Sequence, residues 1–282
     1  MSLLVLDPGP LTTVQDRGRP GWAHLGVPVA GVLDTVSAAL ALRLVGASPE
    51  EALLETTVGG MSARVDGARW MAVTGADGPL TIAGRPAPRH TAVWVPDGAV
   101  VEVGAAARGV RAYVAFAGGV AVEPVLGSRS TDTLAGVGPP VLRAGAVLPL
   151  GVPSGSPTGV EAPGPVARRR SLRVWPGPRR DWLAPGAWEQ LLATSWSVGA
   201  ASNRVGLRLQ GAGVPRREGE IASEGMVAGA VQLPPDGQPV VFLADHPVTG
   251  GYPVVAVVDA GDLPVCAQLR PGERVTLRPA RR

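Results

Sequence analysis

Short runs of Val, Leu and Ala, each interrupted by Gly or Pro within a few residues, recur along all 282 residues of this chain. Runs of this length are typical of β-strands, and the 39 glycines and 29 prolines between them mark turns and disfavour long helices. An apolar fraction of 45% with 17% charged residues allows a large buried core. We therefore predict a mostly β protein with a few short helices.

One segment changes to the period of a helix, between a capping residue, Asp34, and a terminating glycine, Gly46. The pattern predicts a helix over residues 35–45. Its apolar positions are Val36, Leu40, Leu44 and Val45.

Two further helices are also predicted. Ser48, Pro49 and Glu51 match a capping box with proline at the first helical position, which predicts a helix of one or two turns. Residues 182–193 carry apolar side chains at helical spacing, and we expect Pro185 to begin that helix rather than to interrupt it.

The remaining apolar runs predict strands. Trp70–Val73 before Asp77-Gly78, and Ala92–Val95 before Asp97-Gly98, predict successive hairpins. The strand Arg111–Phe116 ends in Gly118-Gly119, where the chain must turn sharply or approach another segment closely.

Unbroken apolar runs in the last third of the chain suit strands that are covered on both faces, as in a barrel or a sandwich. The clearest are Val240–Leu243 and Val254–Val258. Residues 149–165 are rich in Gly, Pro, Ser and Thr. We predict two β-rich subdomains, at 1–150 and 166–282, joined by a linker or loop at 151–165.

The chain has no lysine, so all 26 basic residues are Arg, and the net charge is only +3. The densest basic run, Arg168–Arg170, lies among Pro and Gly without interleaved aromatics, which argues against nucleic-acid binding. Without lysine the chain cannot form a Schiff base, supply a P-loop lysine or carry biotin. If biotin takes part, it is attached to another chain.

Cysteine and histidine are too few and too scattered for a zinc site. Cys266 lies in an apolar stretch and is predicted to be a buried, inert thiol in a reducing compartment. Residues 1–7 lack the basic region of a secretory signal, and no run approaches about 18 apolar residues. We predict a cytoplasmic protein that does not span a membrane.

The first cluster with chemical potential is Gln15-Asp16-Arg17-Gly18-Arg19. Arginines beside glycines can bind a carboxylate or a phosphate, although a surface ion-pair turn has the same composition. The second cluster is Ser128-Arg129-Ser130-Thr131-Asp132. It can position a phosphoryl group and a metal, or form a turn stabilised by hydrogen bonds.

Three further polar segments lie between apolar strands. Ser202–Gly206 contains Arg204, and Ser223–Gly225 contains Glu224, which can be a general base or a solvated loop charge. The third, residues 245–253, combines an acid, an imidazole, a hydroxyl, two glycines and a phenol, which favours function over a simple hairpin. Its candidate residues are Asp245, His246, Thr249, Gly250, Gly251 and Tyr252.

The order of these clusters resembles the signature of the C-type subunits in the biotin-dependent carboxyltransferase family. Residues 9–34 look like its opening motif, and Gly127–Asp132 and Thr249–Pro253 resemble its two other hallmarks. Ser223–Gly225 and Gln232 fall between them in the expected order. The chain differs in two places: Asn203 stands where the family usually has Asp, and residues 246–248 are His-Pro-Val rather than Arg-Gln-Thr.

The resemblance implies a cyclophilin-like β-barrel architecture and a complex with a related B-type subunit. The family includes the C-type subunit of ATP-dependent 5-oxoprolinase, an enzyme of subunits A, B and C that opens 5-oxo-L-proline to glutamate and uses ATP with Mg²⁺. It also includes allophanate hydrolase subunit 2, the matching half of the urea carboxylase carboxyltransferase, and a non-catalytic regulator that binds a kinase-inhibitor-like B-type subunit. We expect the first activity and keep the others as alternatives.

The resemblance also implies roles for the polar clusters. The acids would serve proton transfer or Mg²⁺ of the nucleotide, and the arginines would bind phosphate or carboxylate. No resident metal site is expected. The predicted catalytic residues are Asp16, Arg129, Asp132, Glu224 and Asp245. The predicted substrate- or nucleotide-binding residues are Gln15, Arg17, Arg19, Ser128, Ser130, Thr131, Arg204, His246, Thr249, Gly250, Gly251 and Tyr252.

Overall fold

The structure is a computed structural model that describes residues 1–159, 162, 170–219 and 221–281. The chain divides into two compact units. Unit 1 comprises residues 1–19, 30–132 and 136–166, and unit 2 comprises residues 20–29, 133–135 and 167–282. The predicted boundary at 151–165 stays a prediction, because residues 160, 161 and 163–165 lie outside the described residues, as do Arg168 and Arg169 of the basic run.

Unit 1 is built from two antiparallel sheets. The strands are β1 (Ser2–Asp7), β2 (Leu11–Gln15), β3 (Leu53–Thr57), β4 (Met61–Asp66), β5 (Arg69–Asp77), β6 (Leu80–Ile82), β7 (Arg85–Pro86), β8 (Val93–Val95), β9 (Val100–Val103), β10 (Arg108–Phe116) and β11 (Val147–Pro149). The six-stranded sheet has the order β11-β1-β4-β9-β6-β7, and the five-stranded sheet has the order β2-β3-β10-β5-β8.

Both sheets contribute to one core. Leu3 and Val101 of the six-stranded sheet pack in the same cluster as Val73, Val114 and Phe116 of the five-stranded sheet, and all five side chains are fully buried. Burial of this apolar area is the main term that stabilises the unit.

The predicted hairpins at Asp77-Gly78 and Asp97-Gly98 are wrong. Strand β5 pairs with β8 and β10, whereas β6 pairs with β7 and β9. Each turn therefore carries the chain from one sheet to the other. A strand that faces a shared core has the same apolar pattern in either sheet, so the sequence does not separate the two arrangements.

The first helix, α1 (Thr35–Leu44), confirms the prediction for 35–45. The Asp34 carboxylate accepts hydrogen bonds from the Ser37 amide at 3.0 Å and from the Ser37 hydroxyl at 2.7 Å. Val36, one of the apolar positions of the helical pattern, is nevertheless 65% exposed. Alanine forms much of the buried face instead, because Ala38 and Ala41 let the helix lie close to the five-stranded sheet.

The predicted helix after Ser48 is absent, and the segment is only a turn. The capping contacts do form, since Glu51 Oε1 accepts from the Ser48 amide at 3.3 Å. The chain enters strand β3 at Leu53, which leaves no room for a helical turn. The close approach predicted at Gly118 is confirmed, because a side chain there would lie 2.2 Å from the Gly151 carbonyl oxygen.

The strands of unit 2 are β12 (Ser171–Pro176), β13 (Ser195–Val198), β14 (Gly206–Gln210), β15 (Glu224–Gly225), β16 (Ala230–Gln232), β17 (Val240–Phe242), β18 (Thr249–Gly250), β19 (Val254–Val258) and β20 (Arg274–Pro279). Seven of them form a closed barrel with the order β12-β19-β16-β17-β14-β13-β20, in which β12 and β20 are parallel, and β15 and β18 form a separate pair. This barrel confirms the mostly β fold predicted from the sequence.

Two α-helices accompany the barrel, α2 (Ala187–Ala193) and α3 (Leu263–Cys266), together with 3₁₀ turns at Ala23–Leu25, Arg180–Trp182 and Ala260–Asp262. The predicted helix over 182–193 is too long at its start. Helix α2 begins after Gly186, whose φ of 77° is left-handed, so Pro185 lies before the helix instead of opening it. No helix in the described part of the chain is long and apolar enough to cross a bilayer.

Candidate functional site

In unit 1 the first two polar clusters meet at the carboxylate of Asp16. One oxygen accepts from the Gly18 amide at 2.8 Å and from the hydroxyls of Ser128 and Ser130 at 2.6 Å each. The other accepts from the Arg129 amide at 2.6 Å. Asp16 thus joins two loops that are more than a hundred residues apart in sequence, and its hydrogen bonds stabilise both turns.

The arginines of these clusters have different surroundings. Arg19 is 1% exposed and donates to backbone carbonyls, and Arg129 Nε donates to the Val122 carbonyl at 2.6 Å. Arg17 lies near the surface, with 63% of its side chain exposed, and pairs with Glu50 at 2.5 Å. Of the three, Arg17 is the most exposed, Arg129 is half-buried and Arg19 is buried.

Gln15 is fully buried on the face of the sheet that α1 covers. Its Nε2 donates to Thr13 Oγ1 at 3.0 Å and to the Thr131 carbonyl at 2.9 Å. Asp132, next to Thr131, is 2% exposed. A cavity of about 230 Å³ borders Gln15 and α1. The structure therefore gathers the predicted residues 15–19 and 128–132 around one buried hydrogen-bond network.

In unit 2, Asp245 and Arg204 form a buried, bidentate ion pair. Arg204 Nε and Nη2 donate to the two carboxylate oxygens at 2.9 and 2.8 Å, and neither side chain is more than 1% exposed. Thr133 adds its amide at 3.0 Å and its hydroxyl at 2.6 Å to the same carboxylate. The extra donors satisfy the carboxylate, which makes burial of the charge tolerable.

The segments that contain Glu224 and Gly250 pair as strands β15 and β18. Glu224 lies opposite Gly250 and forms an ion pair with Arg179, whose Nε lies 3.0 Å from Oε2 and whose Nη2 contacts Oε1. Thr249, opposite Gly225, is exposed. The polar segments Ser223–Gly225 and 245–253 are therefore neighbours, which the sequence alone does not show.

The side chain of Gln232 packs beneath the segment that contains Gly250 and Tyr252. Its side chain is 4% exposed, and Nε2 donates to the Tyr252 carbonyl at 3.0 Å and lies 3.6 Å from Met226 Sδ. A β-carbon at Gly250 would lie 2.4 Å from Gln232 Nε2, whereas one at Gly251 would have no neighbour closer than 3.7 Å. A side chain at Gly250 would thus displace the Gln232 amide, whereas Gly251 has room for one.

A cavity of about 350 Å³ lies over the outer face of the barrel. Register places Arg208 opposite Val240, and Val240 opposite Gln232, so three adjacent strands present one row of side chains to it. Asn203 and Tyr252 also line the cavity. Apolar walls with a few convergent polar groups are typical of small-molecule sites, and the volume lies in the usual range of about 300–1,000 Å³.

His246 and Asn203 stand where the sequence departs from its family pattern. His246 Nδ1 lies 2.8 Å from the Pro247 carbonyl, which can only accept, so Nδ1 carries a proton and the ring packs edge-on against Phe242. Asn203 Oδ1 accepts from the amides of Val205 and Gly206, as an Asp carboxylate could. The turn is therefore kept without the charge.

Sequence reasoning missed Arg179, Arg208 and Thr133. Arg179 and Thr133 lie far in sequence from the acids that they contact, so no local signal marks them. Arg208 is exposed and lies between the buried Leu207 and Leu209. This alternation of apolar and polar residues predicts that Arg208 faces outward from the strand. Among the described residues, no group of three or more His, Cys, Asp or Glu side chains is placed to hold a metal. The roles predicted for the site residues stay predictions.

A family model for the carboxyltransferase domain, subdomain A and B, matches residues 25–279. The chain therefore belongs to this carboxyltransferase family. It is 31% identical to the C-type subunit of Escherichia coli K12 5-oxoprolinase over 97% of this chain and 89% of that protein. It is also 31% identical to urea amidolyase of Saccharomyces cerevisiae, over 96% of this chain but 16% of that protein.

Among solved structures, the fold matches Kluyveromyces lactis urea carboxylase with a TM-score of 0.90 and 28% identity. The match covers 99% of this chain and 27% of the urea carboxylase chain. The chain thus spans most of the bacterial relative but only about a quarter or less of the urea enzymes.

Proposed function

We propose that this chain is the C-type subunit of an ATP-dependent 5-oxoprolinase, which opens 5-oxo-L-proline to glutamate together with subunits A and B. The observation that carries the proposal is the similarity to the Escherichia coli subunit over 97% of this chain and 89% of that protein. The barrel cavity of unit 2, with an exposed guanidinium and a buried amide on its floor, suits a small polar substrate of this kind.

The reaction needs ATP because a lactam is a poor electrophile. Transfer of the γ-phosphoryl group to the lactam oxygen breaks the bond to ADP and gives an activated imidate. Water then adds to the activated carbon, the C–N bond breaks, and the nitrogen takes up protons to become the amino group of an acyl phosphate. A second water releases phosphate and glutamate.

In the proposed complex, this chain would orient the substrate in its barrel cavity. Fixing the lactam relative to the nucleotide lowers the entropic part of the barrier, and arginine can hold carboxylate or phosphate groups in a defined geometry. Asp16 and Asp245 contribute through structure, since their carboxylates already accept several hydrogen bonds within the fold. Arg17 and Arg208 are the exposed arginines of the two site regions.

The urea chemistry of the other relatives supplies a second candidate function. The matches to urea amidolyase and urea carboxylase favour a carboxyltransferase half, which would act on biotin carried by another chain because this one has no lysine. The two functions differ in substrate and in partner, so one reconstitution separates them.

The test is co-expression of this chain with subunits A and B, followed by size-exclusion chromatography and coupled assays for ADP and glutamate. The proposal predicts a stable complex that hydrolyses ATP only with 5-oxo-L-proline and releases one glutamate per ADP. ATP-dependent turnover of urea and bicarbonate with a biotinylated partner would support the carboxyltransferase instead. A complex that forms but responds to no substrate would favour the non-catalytic regulator.

A further inference from the structure

Four polar side chains line the cavity on the outer face of the barrel, and two of them, Arg208 and Gln232, lie on the strands that flank Val240. We infer that Arg208 binds the carboxylate of the substrate and that Gln232 Oε1 accepts the hydrogen bond of its lactam N–H. This inference rests on the proposed function and assigns two groups of the substrate to two residues.

The strand register sets the distance between these groups. Arg208 on β14 lies opposite Val240 on β17, and Val240 lies opposite Gln232 on β16. Residues directly opposite point to the same face of a sheet, and neighbouring strands lie about 4.8 Å apart. The Cα atoms of Arg208 and Gln232 are therefore separated by about 10 Å, with Val240 between them. One small molecule above Val240 can contact both side chains.

Several arginines of unit 2 are neutralised by an acid, and Arg208 differs from them in this respect. Arg173, Arg179 and Arg204 each form an ion pair with Asp or Glu. For Arg208 the structure shows only backbone contacts, such as its amide to Ser202 Oγ at 3.0 Å, and no acidic partner among the described residues. An exposed guanidinium beside a cavity is suited to bind a carboxylate with two parallel hydrogen bonds.

The amide nitrogen of Gln232 is already engaged within the fold, which leaves the oxygen as the group for a ligand. Nε2 donates to the Tyr252 carbonyl, which can only accept, and this contact sets the orientation of the amide. The side chain is 4% exposed and can turn little. Its Oε1 accepts a hydrogen bond, so it favours an N–H group over a second carboxylate at this end of the cavity.

The walls between the two polar ends are apolar. Val205, Val240 and Phe242 line the cavity and would pack against the methylene groups of a five-membered lactam. Urea has no methylene groups and leaves these walls without a counterpart, and in a carboxyltransferase a carboxylate would arrive only on the group that is transferred. A cyclic amide that carries its own acid fits both the apolar walls and Arg208.

The experiment uses the complex with subunits A and B and compares 5-oxo-L-proline with its carboxamide, which keeps the ring and loses the charge. We expect Arg208→Leu to raise the KM for 5-oxo-L-proline by roughly tenfold to a hundredfold with a smaller change in kcat. The preference of the wild type for the acid over the carboxamide should disappear in the same variant. Arg208→Lys should restore part of both, because it keeps the charge and loses the two-pronged geometry.

Arg278→Leu is the matched control, since Arg278 is an exposed arginine on strand β20 outside the cavity lining. It should leave KM and the acid preference unchanged. Unchanged KM and unchanged acid preference in Arg208→Leu would overturn the inference while the proposed function stands. A wild-type complex without activity on 5-oxo-L-proline would overturn the proposed function and this inference together.

Discussion

Gly250 and Gly251 are adjacent glycines with different packing, which makes them a matched pair for substitution. A β-carbon at Gly250 would lie 2.4 Å from Gln232 Nε2 and 3.2 Å from Met226 Sδ. At Gly251 the nearest atom would be the Ile221 carbonyl oxygen, at 3.7 Å. Neither glycine has the left-handed backbone that alone would exclude alanine. Any difference between Gly250→Ala and Gly251→Ala therefore reports the contact with Gln232.

The expected loss in the free energy of unfolding follows from the displacement of the Gln232 side chain. In Gly250→Ala the Gln232 amide has to shift, which weakens its hydrogen bond to Tyr252, a net loss of about 0.5–1.5 kcal/mol. Adding a methyl group to a filled site costs about 1–3 kcal/mol in total. Alanine also stabilises either variant by about 0.4–1 kcal/mol through the unfolded chain. We expect Gly250→Ala to be less stable than Gly251→Ala by about 1–3 kcal/mol.

Urea unfolding of the purified variants, followed by tryptophan fluorescence, measures this difference at one temperature and pH. In the complex with subunits A and B, Gly250→Ala should also raise the KM for 5-oxo-L-proline, because the displaced Gln232 no longer presents Oε1. Free energies of unfolding that agree within about 0.5 kcal/mol would refute the packing argument, since that is the scale of a substitution without a specific contact.

Two further predictions concern buried groups of unit 2. Asp245→Asn removes the carboxylate that faces buried Arg204 and should lower the free energy of unfolding by about 3–5 kcal/mol, measured by urea unfolding; a loss below about 1 kcal/mol would contradict the assigned pairing. Burial, with a smaller contribution from the charge of Asp262, raises the pKa of the Cys266 thiol from 9.0 to about 12. The resulting stabilisation is complete below pH about 9 and is lost as the pH rises toward 12, so Cys266→Ala should flatten the pH dependence of unfolding in this range. Rapid labelling of Cys266 by a thiol reagent in the folded chain at pH 8 would contradict its burial.

The sequence predicted the elements with strong local signals. Asp34 marked the start of α1, and the run Val254–Val258 marked a barrel strand, because caps and apolar periodicity are written in neighbouring residues. The turns after Asp77 and Asp97 gave a wrong prediction of hairpins, because packing across the core, and not the turn itself, determines which strands pair. The same limit applies to Ser48, where the hydrogen bonds of a helix start form at a turn that leads into a strand.

In the candidate site, too, local features were predicted from the sequence and long-range contacts were not. The sequence identified the polar segments, but not the contacts that give them their roles, since Asp16 meets Ser128 and Asp245 meets Thr133 across more than a hundred residues. Arg208 carried only the weak signal of an outward position in an alternating strand. Motifs therefore indicated where polar groups concentrate, and the fold decided which of them stay accessible.

Because most motif residues are engaged within the fold, the motifs of the family indicate the turns more than the substrate. The carboxylates of the motif residues Asp16 and Asp245 accept hydrogen bonds within the fold, and Gly250 packs closely against Gln232. Such residues would be needed by any relative that builds the same turns, whichever molecule it binds. Under the proposed function, substrate choice depends on side chains that build no turn and face the cavity, of which Arg208 is the clearest. In a 5-oxoprolinase the guanidinium at this position of strand β14 would bind the acid of the substrate itself, whereas in a carboxyltransferase it would face a carboxylate only on the transferred group. The effect of Arg208→Leu on binding of the free substrate, more than the shared motifs, should therefore separate the two activities.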